Sequence, residues 1–391
     1  MKKVLLTAFA LILGVSLAMA QGNKSDVSQS GNNNGATVTQ TGANNLSKLS
    51  QEVKTNTAVI TQTGDDNTLQ NSKTQTGDVA RQRATADFTL LQDGSNNTMG
   101  LYQGNQKNKA YVQQIGNENE ADVAQVAFGG AIPVANRTDL DQLGDANKTE
   151  VIQGINGGNH EANTATISIS GSNNGNVANG AAGDDWMTME QYGDFNDIDV
   201  TVVGDRNDVD ITQQGDNNDV LVEAGVFGGA NANSISFDQD GDGNYLETKL
   251  VAGSENNTLN GAQAGDDNFY RFGFRGDNNE VNLTVDGNDN KGSWGISSSF
   301  PERSDDNTLN INVVNGGSGN DTSGKVDGDN NDIVIVQDGA NNMVGTSWFN
   351  RDGVDITGDM NSVDIMQTGN NHSTVNTITG NGNTTIVNQK N

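Results

Sequence analysis

NDIDVTVVGDRNDVDITQQGDNN, residues 196–218, carries one 11-residue unit twice. The unit N-D-[IV]-D-[VI]-T-x-x-G-D-x-N runs from Asn196 to Asn207 and again from Asn207 to Asn218. Its second copy alternates strictly. Asn207, Val209, Ile211, Gln213 and Gly215 fall on one side, and Asp208, Asp210, Thr212 and Gln214 on the other. A period of two is that of a β-strand with one buried face, whereas a helix needs apolar residues at three and four. Gly takes positive φ without strain and Asn bonds its own backbone, so G-D-x-N reads as a tight turn. Each unit is therefore one short strand and one turn.

The same unit covers most of the chain. Q-x-G-x-x-N occurs eleven times, beginning at Gln29, Gln40, Gln62, Gln92, Gln114, Gln142, Gln191, Gln213, Gln239, Gln263 and Gln337. Its glycines are Gly31, Gly42, Gly64, Gly94, Gly116, Gly144, Gly193, Gly215, Gly241, Gly265 and Gly339. Its asparagines are Asn34, Asn45, Asn67, Asn97, Asn119, Asn147, Asn196, Asn218, Asn244, Asn268 and Asn342. G-x-x-N without the Gln adds Gly171, Gly204, Gly253, Gly276, Gly287, Gly317, Gly328, Gly358 and Gly380. A fixed period of this length marks a solenoid whose units bury their apolar faces only against neighbours. Two units make a strand–turn–strand layer of 22 residues. Layers stacked about 4.8 Å apart would pair each strand with its counterpart above and below. The fold expected is all-β, a β-solenoid with interior rows of Val, Ile, Leu and Ala. The Gln and Asn side chains at the edges of those rows are expected to bond layer to layer as amide ladders, with the glycines in the turns.

Composition demands such an arrangement. Only 32% of residues are hydrophobic and 5% aromatic, Gly numbers 49 and Cys is absent. That is too little for an ordinary globular core and supplies no disulfide. Two prolines and a regular repeat speak against disorder. The formal charge of −29 argues against nucleic acid and anionic membranes as partners. Residues 1–20 read as a signal peptide, with Lys2 and Lys3, an apolar stretch to Leu17, and Ala18-Met19-Ala20 before cleavage. At 14 residues the apolar stretch is too short to span a bilayer. Residues 21–391 are then one repeat region in an exported protein, with no membrane insertion expected.

With Gln, Gly and Asn at these spacings and a second Gln 11 residues after the first, VSQSGNNNGATVTQTGANN (residues 27–45) resembles the curlin repeat, the unit of bacterial curli fibre subunits. The resemblance implies a secreted functional-amyloid subunit with a β-solenoid fold, assembled into extracellular biofilm fibres. Its implied partners are other copies of itself, further curli-type subunits and a dedicated secretion apparatus. The family's ladder positions carry over to the eleven glutamines and their Gly and Asn partners. In several units an apolar residue stands at the Gln position: Val202, Val251, Phe274, Val285, Val326 and Ile356.

Four stretches break the period and are expected as insertions, near residues 126–137, 220–234, 291–303 and 343–353. Trp186, Trp294 and Trp348 all fall outside well-formed units. DQDGDG, residues 238–243, resembles half a calcium loop, but Lys249 stands where the bidentate Glu belongs. No cofactor is expected. Outward rows such as Asp208 and Asp210 leave only nonspecific Ca2+ binding, and their mutual repulsion would make assembly sensitive to cations or acid. With two histidines and no cysteine, no enzymatic constellation forms. A structural, self-assembling protein with an open strand edge at its C-terminus is the expected function, and a monomeric solenoid adhesin or glycan- or ice-binding protein the alternative.

Overall fold

The computed structural model describes residues 22–391 except 76, 84, 106, 128–134, 155–161, 176–185, 226–228, 252, 297–303, 315 and 346–352. The expected signal peptide lies outside the described residues, as does Trp348.

The alternation in the quoted stretch becomes two strands, one in each sheet, each paired in parallel with its counterparts in neighbouring layers. In Asp197–Val203 and Asp208–Gln214, Ile198, Val200, Val202, Val209, Ile211 and Gln213 are buried. Asp208, Asp210 and Thr212 sit half-buried on the outer side. No helix occurs among the described residues, and the architecture is a parallel β-solenoid of about 24 residues per turn. The sequence period of 22 holds where layers follow directly, as between Lys24 and Leu46, and insertions raise the mean.

The chain divides into two units, residues 1–161 and 162–391. In the first, one sheet runs from Lys24–Gln29 through Leu46–Glu52, Thr98–Asn105 and Glu120–Ala127 to Lys148–Gln153. The other runs from Gly35–Thr41 through Thr57–Thr63, Asp87–Asp93 and Lys109–Ile115 to Arg137–Leu143. In the second unit one sheet extends from Met187–Tyr192 to Thr384–Lys390 and the other from Thr164–Ser170 to Asn376–Thr379. Successive turns of the chain thus stack like on like. Side chains at the same place in consecutive layers become columns.

The expected insertions need correction at their edges. Asp219–Ala224, Lys291–Ile296 and Met343–Val344 are strands. Val220, Val222 and Ala224 keep the inward alternation, as do Trp294 and Ile296. Trp294 is 1% exposed, and it fits because its counterpart in the next layer is Gly324, whose absent Cβ would lie 2.4 Å from the indole. Its Nε1 donates to Thr322 Oγ1 at 3.3 Å. One insertion escaped the reading altogether. In the first unit a layer is split between Thr68–Asn71 and Ala80–Arg83, and the described residues between them, 72–75 and 77–79, leave the sheet as a strap over its outer face.

Candidate functional site: the amide ladders

Each Gln reaches the next across one strand spacing. In the first unit the Nε2 of Gln29 donates to Oε1 of Gln51 at 2.6 Å, and the column continues through Gln82, Gln103 and Gln125 to Gln153. The facing sheet carries a second column, Gln40–Gln62–Gln92–Gln114–Gln142, at 2.8–2.9 Å. All donate in the same chain direction, so the ladders are polar. In the second unit Gln191, Gln213, Gln239 and Gln263 form one run and Gln337, Gln367 and Gln389 another. Every glutamine expected in a ladder is in one.

The asparagine columns carry more bonds per layer. Asn218 donates its backbone N–H and its Nδ2 to Asn196 Oδ1, at 3.0 and 3.1 Å, and the same Nδ2 donates to Gly241 O in the next layer at 2.8 Å. One such column links Asn45, Asn67, Asn97, Asn119 and Asn147. Another links Asn196, Asn218, Asn244 and Asn268, and Asn342 takes its place beyond Asn320 in the same row. Asn34 receives Asn56 in a separate column. These buried amides use both donor hydrogens and the carbonyl, which removes the penalty of about 1–3 kcal/mol that an unmade bond in the interior carries.

The glycine of each unit is required twice over. Gly94 has φ +131, and a Cβ there would lie 1.9 Å from Gly116 O of the following layer. All eleven expected turn glycines have positive φ. Val53 stands at this place in one layer with φ +75, which is why a search for Gly overlooks Gln51. Gln82 was hidden by a turn one residue shorter, Gln103 by Asn105 at the Gly position, and Gln367 by His372 in place of Asn, whose N–H still donates to Asn342 Oδ1 at 3.1 Å.

The apolar substitutions are ordered rather than scattered. In the second unit one sheet carries only apolar residues in the Gln row, with Ile169, Val202, Ala224, Leu250, Phe274, Ile296, Val326, Ile356 and Ile378 in register. Leu250, not Val251, holds that place, and Val251 is exposed. The local turn is centred on Ser254 and Asn257, one residue beyond the Gly253 the pattern suggested. In the other sheet Val285 and Val313 interrupt the glutamines, and the interruption leaves Gln263 Nε2 and Gln337 Oε1 buried without partners.

The long runs of stacked acids lie in the turns, and on the strand face acids stack only in pairs such as Asp197 and Asp219. Asp208 faces Ser234, and Asp210 lies between Thr188 and Ser236, so neither heads a row of acids. Instead Asp194, Asp216, Asp242 and Asp266 follow one another through four layers, the carboxylates of the last three each accepting the backbone N–H of the Asp before it in the column at 2.8–3.0 Å. Asp277, Asp305, Asp329 and Asp359 repeat the device. On the outer strand face Asp197 and Asp219 are in register, and burial with Asp197, Asp199 and Glu247 nearby pushes the Asp219 carboxyl up to about 6. No group of three or more His, Asp or Glu is placed to hold a metal ion among the described residues.

Residues 22–52 match the family model of the curlin associated repeat. The match covers the first layer and the first strand of the second, where Gln29, Gln40 and Gln51 enter both ladders. No curated protein matches the chain. The curlin associated repeat belongs to a structural, non-enzymatic family, and the columns extend its geometry well past the matched residues.

Proposed function

We propose that this chain is a secreted structural subunit of a curli-like functional amyloid, assembling by in-register addition of further copies into extracellular fibres for adhesion and biofilm. The supporting observation is that parallel in-register pairing runs through every layer and that in the first unit both sheets carry an unbroken Gln column. Each first-unit layer offers its neighbour a row of backbone donors and acceptors, Gln columns and an Asn column, so a layer of the same kind from a second copy meets the partners an internal layer meets. Strand edges of this kind are templates for another chain. Other subunits with Gln at the same places would be accepted by the same rule, and a dedicated apparatus would export the chain.

Electron microscopy of the purified mature chain tests this directly. Ordered fibres are expected, and discrete short rods that never elongate would favour a monomeric adhesin instead. Thioflavin kinetics refine it: Gln29→Ala with Gln40→Ala removes both Gln columns from the first layer and is expected to slow elongation several-fold. Wild-type kinetics in that variant would count against ladder-directed growth.

A further inference from the structure

A recess interrupts the outer face of the second unit. Gly261 occupies an inward place, where the ring of Phe237 from the preceding layer fills the space a Cβ would need, at 1.9 Å. The next residue, Ala262, carries a methyl where its neighbours in register carry Asp238 and Thr284. Short side chains therefore form the floor and longer ones the walls. The walls stand two strand spacings apart, about 9.6 Å, and the recess has a volume of about 310 Å³.

The lining is polar and available. Ser236 and Asp238 face Asn282 and Thr284 across the floor, and Asn260 closes one end. Asn260 donates to Asn282 Oδ1 at 3.2 Å and Asn282 to Asn310 Oδ1 at 3.0 Å, which fixes the amide planes. The Asp238 carboxylate and the Ser236 and Thr284 hydroxyls have no partner among the described residues. Free hydroxyls, an oriented amide and one carboxylate around a narrow floor complement a ligand rich in hydroxyl groups, since a carboxylate accepts from two vicinal hydroxyls at once. Charge narrows the class. Asp240, Glu280 and Asp286 lie close in sequence to the lining residues, so phosphate, sulfate and uronate are repelled. A divalent cation would find a single carboxylate, too few for a calcium site. We infer that this recess binds a neutral sugar ring, one residue of a polysaccharide or glycan, independently of fibre assembly.

Calorimetric or NMR titration of the full mature chain with glucose, galactose, mannose and N-acetylglucosamine decides the matter. At least one of these is expected to bind saturably in the millimolar range. Asp238→Ala is expected to weaken that binding at least tenfold, and Ala262→Trp, which fills the floor from the exposed side, to abolish it. Circular dichroism establishes that both variants stay folded, and microscopy of the same samples reads fibre formation separately. No saturable binding of any of the four sugars overturns the inference, as does wild-type binding by folded Ala262→Trp. Calcium binding lost in Asp238→Ala, without sugar binding, likewise overturns it in favour of a cation.

Discussion

At the scale of the residue, the amide columns create an obligation that passes from layer to layer. A Gln inside the stack relies on Gln in the layers on both sides unless another acceptor stands in, as Glu120 O and Thr149 Oγ1 do for Gln142. The second unit shows the consequence where Val285 and Val313 intervene, because Gln263 Nε2 has lost its acceptor and Gln337 Oε1 its donor. Val285→Gln alone gives Gln263 an acceptor but leaves the new Nε2 facing Val313, so the defect moves without being cured. The double variant Val285→Gln/Val313→Gln closes the column from Gln191 to Gln389. Urea melts of the four proteins in this cycle are expected to show each single substitution neutral or destabilising, and a favourable coupling of about 1–3 kcal/mol in the double. Additive single effects would show that the ladder is not cooperative. The ladder glutamines were legible in the sequence wherever Gly and Asn followed at fixed distance. They were not where Val53 or His372 replaced a turn residue, because backbone geometry and a donated N–H persist without the side chain that advertises them.

At the scale of the element, a strand is specified by its alternation and a turn by its Gly and Asn, so most strands were readable. What resisted reading were elements whose logic lies in another layer. Trp294 looks like a loop residue until Gly324 is seen opposite it. The strap at residues 72–75 and 77–79 has no composition that sets it apart, yet Gly100 makes room for it, with an added Cβ 3.1 Å from Ser72 Cα. Lys73 donates its N–H to Asp122 Oδ2 at 2.6 Å and its Nζ to Glu150 at 2.8 Å, while Asp78 pairs with Lys48 at the other side. Asp122 is buried, its Oδ1 has no partner, and burial pushes its carboxyl up to about 6 against the pull of Ser72 and Lys73, with Glu150 adding to the rise. A carboxyl raised on folding holds its proton more tightly in the folded state. The strap's attachment is therefore strongest below about pH 4, weakens as pH rises toward about 6, and is constant above, a change on the order of 3 kcal/mol. Hydrogen exchange of residues 72–79 is expected to be slower at pH 5 than at pH 7 after correction for intrinsic rates, and Asp122→Asn to remove the difference. A strap equally protected at both pH values in the wild type would refute the assignment.

At the scale of the whole molecule, the same stacking that aligns amides also aligns charges, and the chain has a formal charge of −29 with which to do so. The turn columns place carboxylates of successive layers one strand spacing apart. That is shorter than the screening length of about 10 Å at 0.1 M salt, so repulsion within a column acts at ordinary ionic strength. Backbone N–H donors hold these carboxylates in place but do not cancel their charge on one another. Each added layer extends the columns, so repulsion opposes both folding and any elongation by further copies, while the amide ladders and apolar rows favour them. Screening should shift that balance. Raising NaCl from 10 mM to 0.5 M at pH 7 is expected to raise the melting midpoint by several degrees and to shorten any lag before fibres appear. Asp197, Asp199 and Asp219 are all raised above the usual carboxylate range, chiefly by burial. They are stabilising when protonated below about pH 4, and that contribution is lost as pH rises through their raised values, which for Asp219 is about 6. Repeating the salt series at pH 4.5 should therefore give a smaller shift on a higher baseline, because protonation has already removed part of the repulsion that salt screens. A midpoint that falls with NaCl at pH 7, or a larger salt effect at pH 4.5 than at pH 7, would show that the acid columns do not oppose the stack.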